Sequence, residues 1–179
     1  MAGADAVFAQ DYAEARAGFL AAASRLGSAA ESALHPSRKG AKGEDLAMDS
    51  LLVGSADAAS LLIVTSGTHG VEGFCGSGCQ RALLGDDDLR RRIDTGRVAV
   101  LLVHALNPYG FSHLRRANED NIDLNRNFLD FSQPRPKNTG YEALHELLLP
   151  AEWPPTEANR AALAASRERM GDRAFQAAV

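Results

Sequence analysis

The chain has 179 residues, 45% hydrophobic and 23% charged, enough for one domain that buries roughly 70% of its extended-chain surface. Its formal charge of −4 argues against a nucleic-acid or anionic-membrane footprint, because both need clustered, uncompensated Lys and Arg. No apolar run approaches the 18 or so residues of a membrane span, and residues 1–5 lack the basic and apolar regions of a signal peptide, so a soluble, cytoplasmic protein is expected.

In chain order, Tyr12, Ala15, Phe19, Leu20, Ala23 and Leu26 recur at helical spacing and Gly27 follows as a stop signal, which predicts an amphipathic helix over residues 11–26. Residues 32–36 and 46–53 are short apolar-interrupted runs separated by a Gly- and Lys-containing turn, and they predict a hairpin. The run Ser60-Leu61-Leu62-Ile63-Val64-Thr65 has the composition of a strand buried on both faces. A Gly-rich turn over 66–73 leads into a helix that reaches Leu84. Residues 87–93 read as a second short helix, where Arg90, Arg91 and Arg92 follow Asp86, Asp87 and Asp88 as a solvated face. A second buried strand is expected over 98–104. Strand, turn, helix and strand in this order predict two parallel strands joined by a right-handed crossover, hence an α/β fold.

Asn107-Pro108-Tyr109-Gly110 reads as a turn, and the polar, irregular stretch to Pro136 is long enough to be functional. Helical patterns follow over 141–149 and 157–169, interrupted by Trp153-Pro154-Pro155. The last residues, Arg173 to Val179, form an apolar helical pattern with no stop signal. Cys75 and Cys79 sit at helical spacing rather than in a Cys-x-x-Cys pair, and are expected as reduced, partly buried thiols.

Ligands in open α/β sheets bind beyond the carboxyl ends of the strands, which directs attention to the turns after 60–65 and 98–104. In the first, His69 and Glu72 can converge on one metal ion, offering an imidazole nitrogen and a hard oxygen at about 2.0–2.2 Å; the same pair also reads as a cap or a solvent-exposed pair. In the second, Arg126 presents a planar fork for a carboxylate, Asn125 adds an amide, and Arg115 or Arg116 can stabilise an oxyanion. A charged surface loop is the competing reading. Gly76-Ser77-Gly78 lacks the outer glycines of a nucleophile elbow, and the glycines of 67–78 fit neither a dinucleotide fingerprint nor a phosphate loop.

Taken together, His-Gly-x-Glu (His69 to Glu72), Asn-Pro-x-Gly (Asn107 to Gly110), Arg116 and Asp-Leu-Asn-Arg-Asn-Phe (Asp123 to Phe128) resemble the N-terminal half of the zinc carboxypeptidase superfamily, which includes the succinylglutamate desuccinylase and aspartoacylase branch. The nearest resemblance is to an uncharacterised bacterial branch carried as a domain of unknown function, through Asp11 to Arg16, His35-Pro36, Ser66 to Phe74 and Phe175-Gln176. The resemblance implies a carboxypeptidase-like α/β/α fold with a mixed or parallel sheet, His69 and Glu72 as the first two Zn2+ ligands, Asn125 and Arg126 as the grip on a substrate's free carboxylate, and Arg116, less closely Arg115, as the group that polarises the scissile carbonyl. Asp123 matches a supporting acidic position.

The superfamily's third ligand, a His, and its general-base Glu come from later in the chain, and neither has a counterpart here. His145 lies in an amphipathic helical pattern, His104 at the end of a strand is the best local substitute, and His35 and His113 offer less. The chain is therefore expected to be a single, C-terminally incomplete domain that holds the first part of a hydrolase site and is inactive alone. Its expected partner is a peptide or small molecule with a free carboxylate, with no nucleic acid or membrane. A non-catalytic carboxylate-binding module and an N-acyl amino acid deacylase are the alternatives.

Overall fold

The computed structural model describes residues 4–93 and 95–179. They fall into two compact units, the first ending at Phe128 and the second spanning Leu129–Val179. The first is a mixed α/β unit built on a four-stranded sheet in the order β1-β2-β4-β3.

Helix α1 (Tyr12–Arg25) starts where Asp11 turns extended and its carboxylate accepts the Glu14 N–H, and it stops at Leu26 before Gly27, whose φ of 72° favours glycine. Strands β1 (Glu31–Lys39) and β2 (Asp45–Val53) form the expected antiparallel hairpin. Strand β3 (Ser60–Thr65) leads through the Gly-rich turn into α2 (Gly73–Leu84) and α3 (Asp87–Ile93). Strand β4 (Val98–His104) then inserts between β2 and β3, antiparallel to the first and parallel to the second. Along α3, Arg90 pairs with Asp87 and Arg91 with Asp88, as the solvated face required.

The main core lies between the sheet and its helices: Phe19, Ala22 and Ala23 of α1 meet Leu51, Val100 and Leu102 of the strands, closed by Leu84 of α2 and Ile93 of α3. At roughly 25 cal/mol per Å² of apolar surface, each fully buried Phe, Leu, Val or Ile of this cluster contributes about 1.5–3 kcal/mol. A second cluster of Tyr12, Ala15, Leu46, Ala105 and Phe111, with Phe74 and Tyr109 against it, sits beneath the C-terminal end of β4. Its rings meet edge-on, Phe111 lying 5.5 Å from Tyr12 and 4.9 Å from Phe74. This aromatic floor supports the turns that leave β3 and β4.

Three expectations need correction. Strand β3 is not buried on both faces: it is the edge strand of the sheet, and Leu61, Leu62 and Ile63 are 54%, 51% and 56% exposed. Asn107 to Gly110 is not a free turn but the start of a short helix, α4 (Pro108–Ser112), with Asn107 as its cap and Pro108 in its first turn. Cys75 and Cys79 are exposed rather than partly buried.

The second unit contains α5 (Thr139–Leu148), α6 (Glu157–Met170) and α7 (Asp172–Ala178). Asn138 caps α5 through its Oδ1 and donates from Nδ2 to the Ala178 carbonyl, tying the first helix of the unit to the last. His145 is exposed on α5, where its ring meets Tyr141 of the same helix. No helix among the described residues is long and apolar enough to cross a membrane.

Candidate metal and substrate site

The turn after β3 is shaped by its glycines and by backbone contacts with the segment after β4. Leu106 and Asn107 donate their N–H groups to the Ser66 and Gly67 carbonyls, both at 2.9 Å, which extends the strand pairing into the two loops. The Gly70 N–H donates to the Arg115 carbonyl at 2.9 Å, and the Arg115 N–H to the Gly110 carbonyl at 2.8 Å. A Cβ on Gly70 would collide with the Gly110 and Arg115 carbonyl oxygens. Only glycine lets three main chains meet this closely.

The junction places His69, nearly buried, between two carboxylates. Its Nδ1 lies 2.8 Å from Glu72 Oε2 and its Nε2 lies 2.9 Å from Asp123 Oδ1. Glu72 occupies the cap position of α2, yet its side chain makes no capping bond, which leaves it free for His69. Asp123 opens a single 3-10 turn, Leu124–Arg126. Its Oδ1 also accepts the Asn125 N–H at 2.9 Å, and its Oδ2 accepts Arg116 Nε–H at 2.8 Å. The hydrogen bond from His69, aided by the Arg116 guanidinium, pulls the Asp123 carboxyl down to about 2, so it is an anion throughout the neutral range.

His69, Gly70, Val71, Glu72 and Arg116 line one small cleft of about 210 Å³. Arg116 enters it with only Nε engaged. The neighbouring Arg115 is turned away: Leu114 at φ 54° reverses the chain, and Arg115 donates to Asn121 Oδ1 at 3.1 Å with its guanidinium 5.9 Å from the Tyr109 ring centre. Asn125 and Arg126 sit on the 3-10 turn just past Asp123, exposed and outside the cleft lining, with Arg126 donating only to the Asn125 carbonyl. A larger cleft of about 350 Å³ at the opposite end of β4, among Leu26, Val53, Arg90 and Ile93, brings together no comparable set of groups among the described residues.

The remaining histidines are accounted for elsewhere. His104 is fully buried in the core, stacked on Phe19 at 4.8 Å, with Nε2 2.9 Å from Ser77 Oγ. His113 stacks on Tyr109 and lies 3.2 Å from the Lys39 carbonyl. His35 on β1 accepts the Ser37 and Arg38 N–H groups at Nδ1, which leaves Nε2–H to donate to Glu119 at 2.9 Å. Glu119 belongs to the turn in which Asn118 Oδ1 accepts the Asp120 and Ile122 N–H groups, so this contact anchors the loop that returns Asp123 to His69.

Sequence reasoning missed one organising residue. Asn107, 2% exposed, accepts the Gly110 N–H at 2.8 Å and directs Nδ2 toward the Thr68 carbonyl at 3.4 Å and the Arg116 carbonyl at 3.5 Å. One side chain thus spans the loop before His69, the start of α4 and the backbone of Arg116. An Asn before Pro reads as ordinary turn chemistry, and nothing local indicates its two distant neighbours.

Comparison with curated proteins found no match. A family model described as a protein of unknown function (DUF2817) matches residues 8–179, which include every residue of the cleft. The chain therefore belongs to the DUF2817 family.

Proposed function

We propose that His69 and Glu72 hold a zinc ion in a metallocarboxypeptidase-like hydrolase that cleaves an amide bond next to a free carboxylate. The orientation of His69 carries this reading. Anionic Asp123 accepts the Nε2–H, so the lone pair of a neutral ring lies on Nδ1, 2.8 Å from Glu72 Oε2. Two electron-rich atoms at that distance repel unless a proton or a cation lies between them. An imidazole nitrogen beside a carboxylate oxygen is a donor set that suits zinc, and a carboxylate on the far ring nitrogen is the usual device that fixes a ligand histidine. Among the described residues no third His, Cys, Asp or Glu converges on the pair, so these residues supply two of the three protein ligands that a catalytic zinc takes.

Zinc at this position would polarise the scissile carbonyl and lower the pKa of a bound water toward about 7. The chain's own groups do the rest. Asp123 holds the His69 tautomer and ring plane. Arg116, tethered through Nε, keeps its terminal nitrogens free to donate to an oxygen that gains charge. Asn125 and Arg126 offer an amide and a planar fork to the substrate carboxylate.

Zinc titration against a chromophoric chelator, followed by hydrolysis assays on N-acyl amino acids and C-terminal peptides, tests the proposal. One weakly held zinc per chain is expected, lost in His69→Ala and Glu72→Gln, with no turnover by this chain alone. Zinc binding unchanged in His69→Ala would overturn the site, and turnover by the chain alone would overturn the two-ligand description. Should turnover appear, hydrolysis confined to acyl amino acids would assign a deacylase. The exposed guanidinium of Arg126, which meets no carboxylate among the described residues, favours a second reading, a non-catalytic carboxylate-binding module. Zinc-independent binding of an acyl amino acid, abolished by Arg126→Ala, would select it.

A further inference from the structure

Helix α2 has two faces of different character. Gly73, Ser77, Gln80 and Leu84 form its packed stripe. Cys75 and Cys79, the only cysteines of the chain, lie on the other side and are both exposed. Burial as a small hydrophobic group, the usual reason for an unreactive cysteine, does not explain either one.

A spacing of four residues stacks the two side chains one above the other on the helix surface. Desolvation, together with the neighbouring Cys75 sulfur, pushes the Cys79 thiol above its ordinary value. Cys79 is thus a poor single nucleophile, since attack requires the thiolate. A disulfide is disfavoured as well: Cβ atoms four residues apart on a helix are about 5–6 Å from each other, whereas a disulfide needs about 3.5–4.5 Å. What remains is two soft donors held side by side on a 12-residue helix, open to solvent. That arrangement suits an acceptor that takes two sulfurs at once.

We propose that Cys75 and Cys79 form a surface dithiol site that chelates a thiophilic acceptor of the trivalent-arsenical type. With an aryl arsonous acid as the acceptor, each thiol proton leaves with one hydroxide of the arsenic centre. Two As–S bonds form, two As–O bonds break, two waters depart, and no atom changes oxidation state. The proposal is independent of the zinc reading.

Phenylarsonous acid is the probe, added to the full chain and followed by native mass spectrometry and calorimetry. One equivalent per chain is expected, retained in excess glutathione and removed by a competing dithiol. Chelation exceeds binding to one thiol by about 10²–10⁴-fold, so Cys75→Ser and Cys79→Ser should each weaken binding at least about 100-fold at unchanged far-ultraviolet circular dichroism. His69→Ala should bind the arsenical as the parent chain does, which separates this site from the proposed zinc site. In the unmutated chain, one bound arsenical should protect both cysteines together from iodoacetamide. Two equivalents bound, displacement by glutathione, full binding by either serine variant, or protection of one cysteine without the other would overturn it.

Discussion

Acidification should remove a definable part of this fold's stability through one residue, His104. Its ring is fully buried, stacked on Phe19 and bonded to Ser77 through Nε2, and Nδ1 has no hydrogen-bond partner among the described residues. Burial pulls its pKa down to about 4, against roughly 6.5 for an unfolded chain. The unfolded state therefore binds more protons between these values, so stability from this group is complete above about pH 6.5 and falls as pH drops through 4. A separation of about 2.5 units at 1.36 kcal/mol each amounts to about 3 kcal/mol, a large share of the 5–15 kcal/mol typical of a domain. Urea unfolding at intervals from pH 8 to pH 4, on the parent chain and on His104→Phe, isolates the effect. Phenylalanine keeps the stack and cannot titrate, while leaving Ser77 without a partner costs about 1 kcal/mol at every pH. Subtracting the two curves cancels the carboxylates, which also contribute in acid. A difference that stays flat from pH 7 to pH 4 would refute the assignment.

Asp123→Asn cannot accept from both His69 and Arg116 as the carboxylate does, and an amide N–H turned toward the ring would drive the proton to Nδ1; zinc affinity should fall about 10–100-fold, and chelator competition that shows no loss would remove Asp123 from the site. Gly70→Ala presses a methyl onto the Gly110 and Arg115 carbonyls and should cost about 1–3 kcal/mol in urea unfolding; a neutral result would mean the junction is slack. Arg16→Met leaves Asp49, which is fully buried and accepts both Arg16 Nε–H at 2.8 Å and Nη2–H at 3.0 Å, with only the Ser32 hydroxyl. That loss should approach the roughly 3–5 kcal/mol of a broken buried pair, and a loss under about 1 kcal/mol would count the bridge as a surface contact.

The elements with their own signals were legible: the α1 stripe and its stop glycine, the hairpin, and the parallel pair β3 and β4. The exposure of β3 was not, because Leu61 to Val64 carry the same apolar run whether the strand lies inside a sheet or at its rim. That distinction arises when β4, more than thirty residues later, takes the inner place. Asn107 and Pro108 misled for a related reason, since residues that open a turn also open a helix. At the site, His69 and Glu72 were visible because three residues separate them. Asp123 was placed only by resemblance, 54 residues from its partner. Resemblance already favoured Arg116 over Arg115, but the positive φ at Leu114 that accompanies their separation leaves no mark in sequence.

The glycine junction beneath His69 also bears on how this site can change over generations. Its register is written in amide-to-carbonyl bonds among Ser66, Gly67, Gly70, Leu106, Asn107, Gly110 and Arg115. Such bonds ignore what side chain a residue carries. Inherited substitutions around the cleft can therefore alter the size and polarity of its walls while the imidazole and the guanidinium keep their relative positions. The glycines are the exception, and a lineage that replaces one of them must rebuild the crossing of three strands of main chain before it can reshape the cleft.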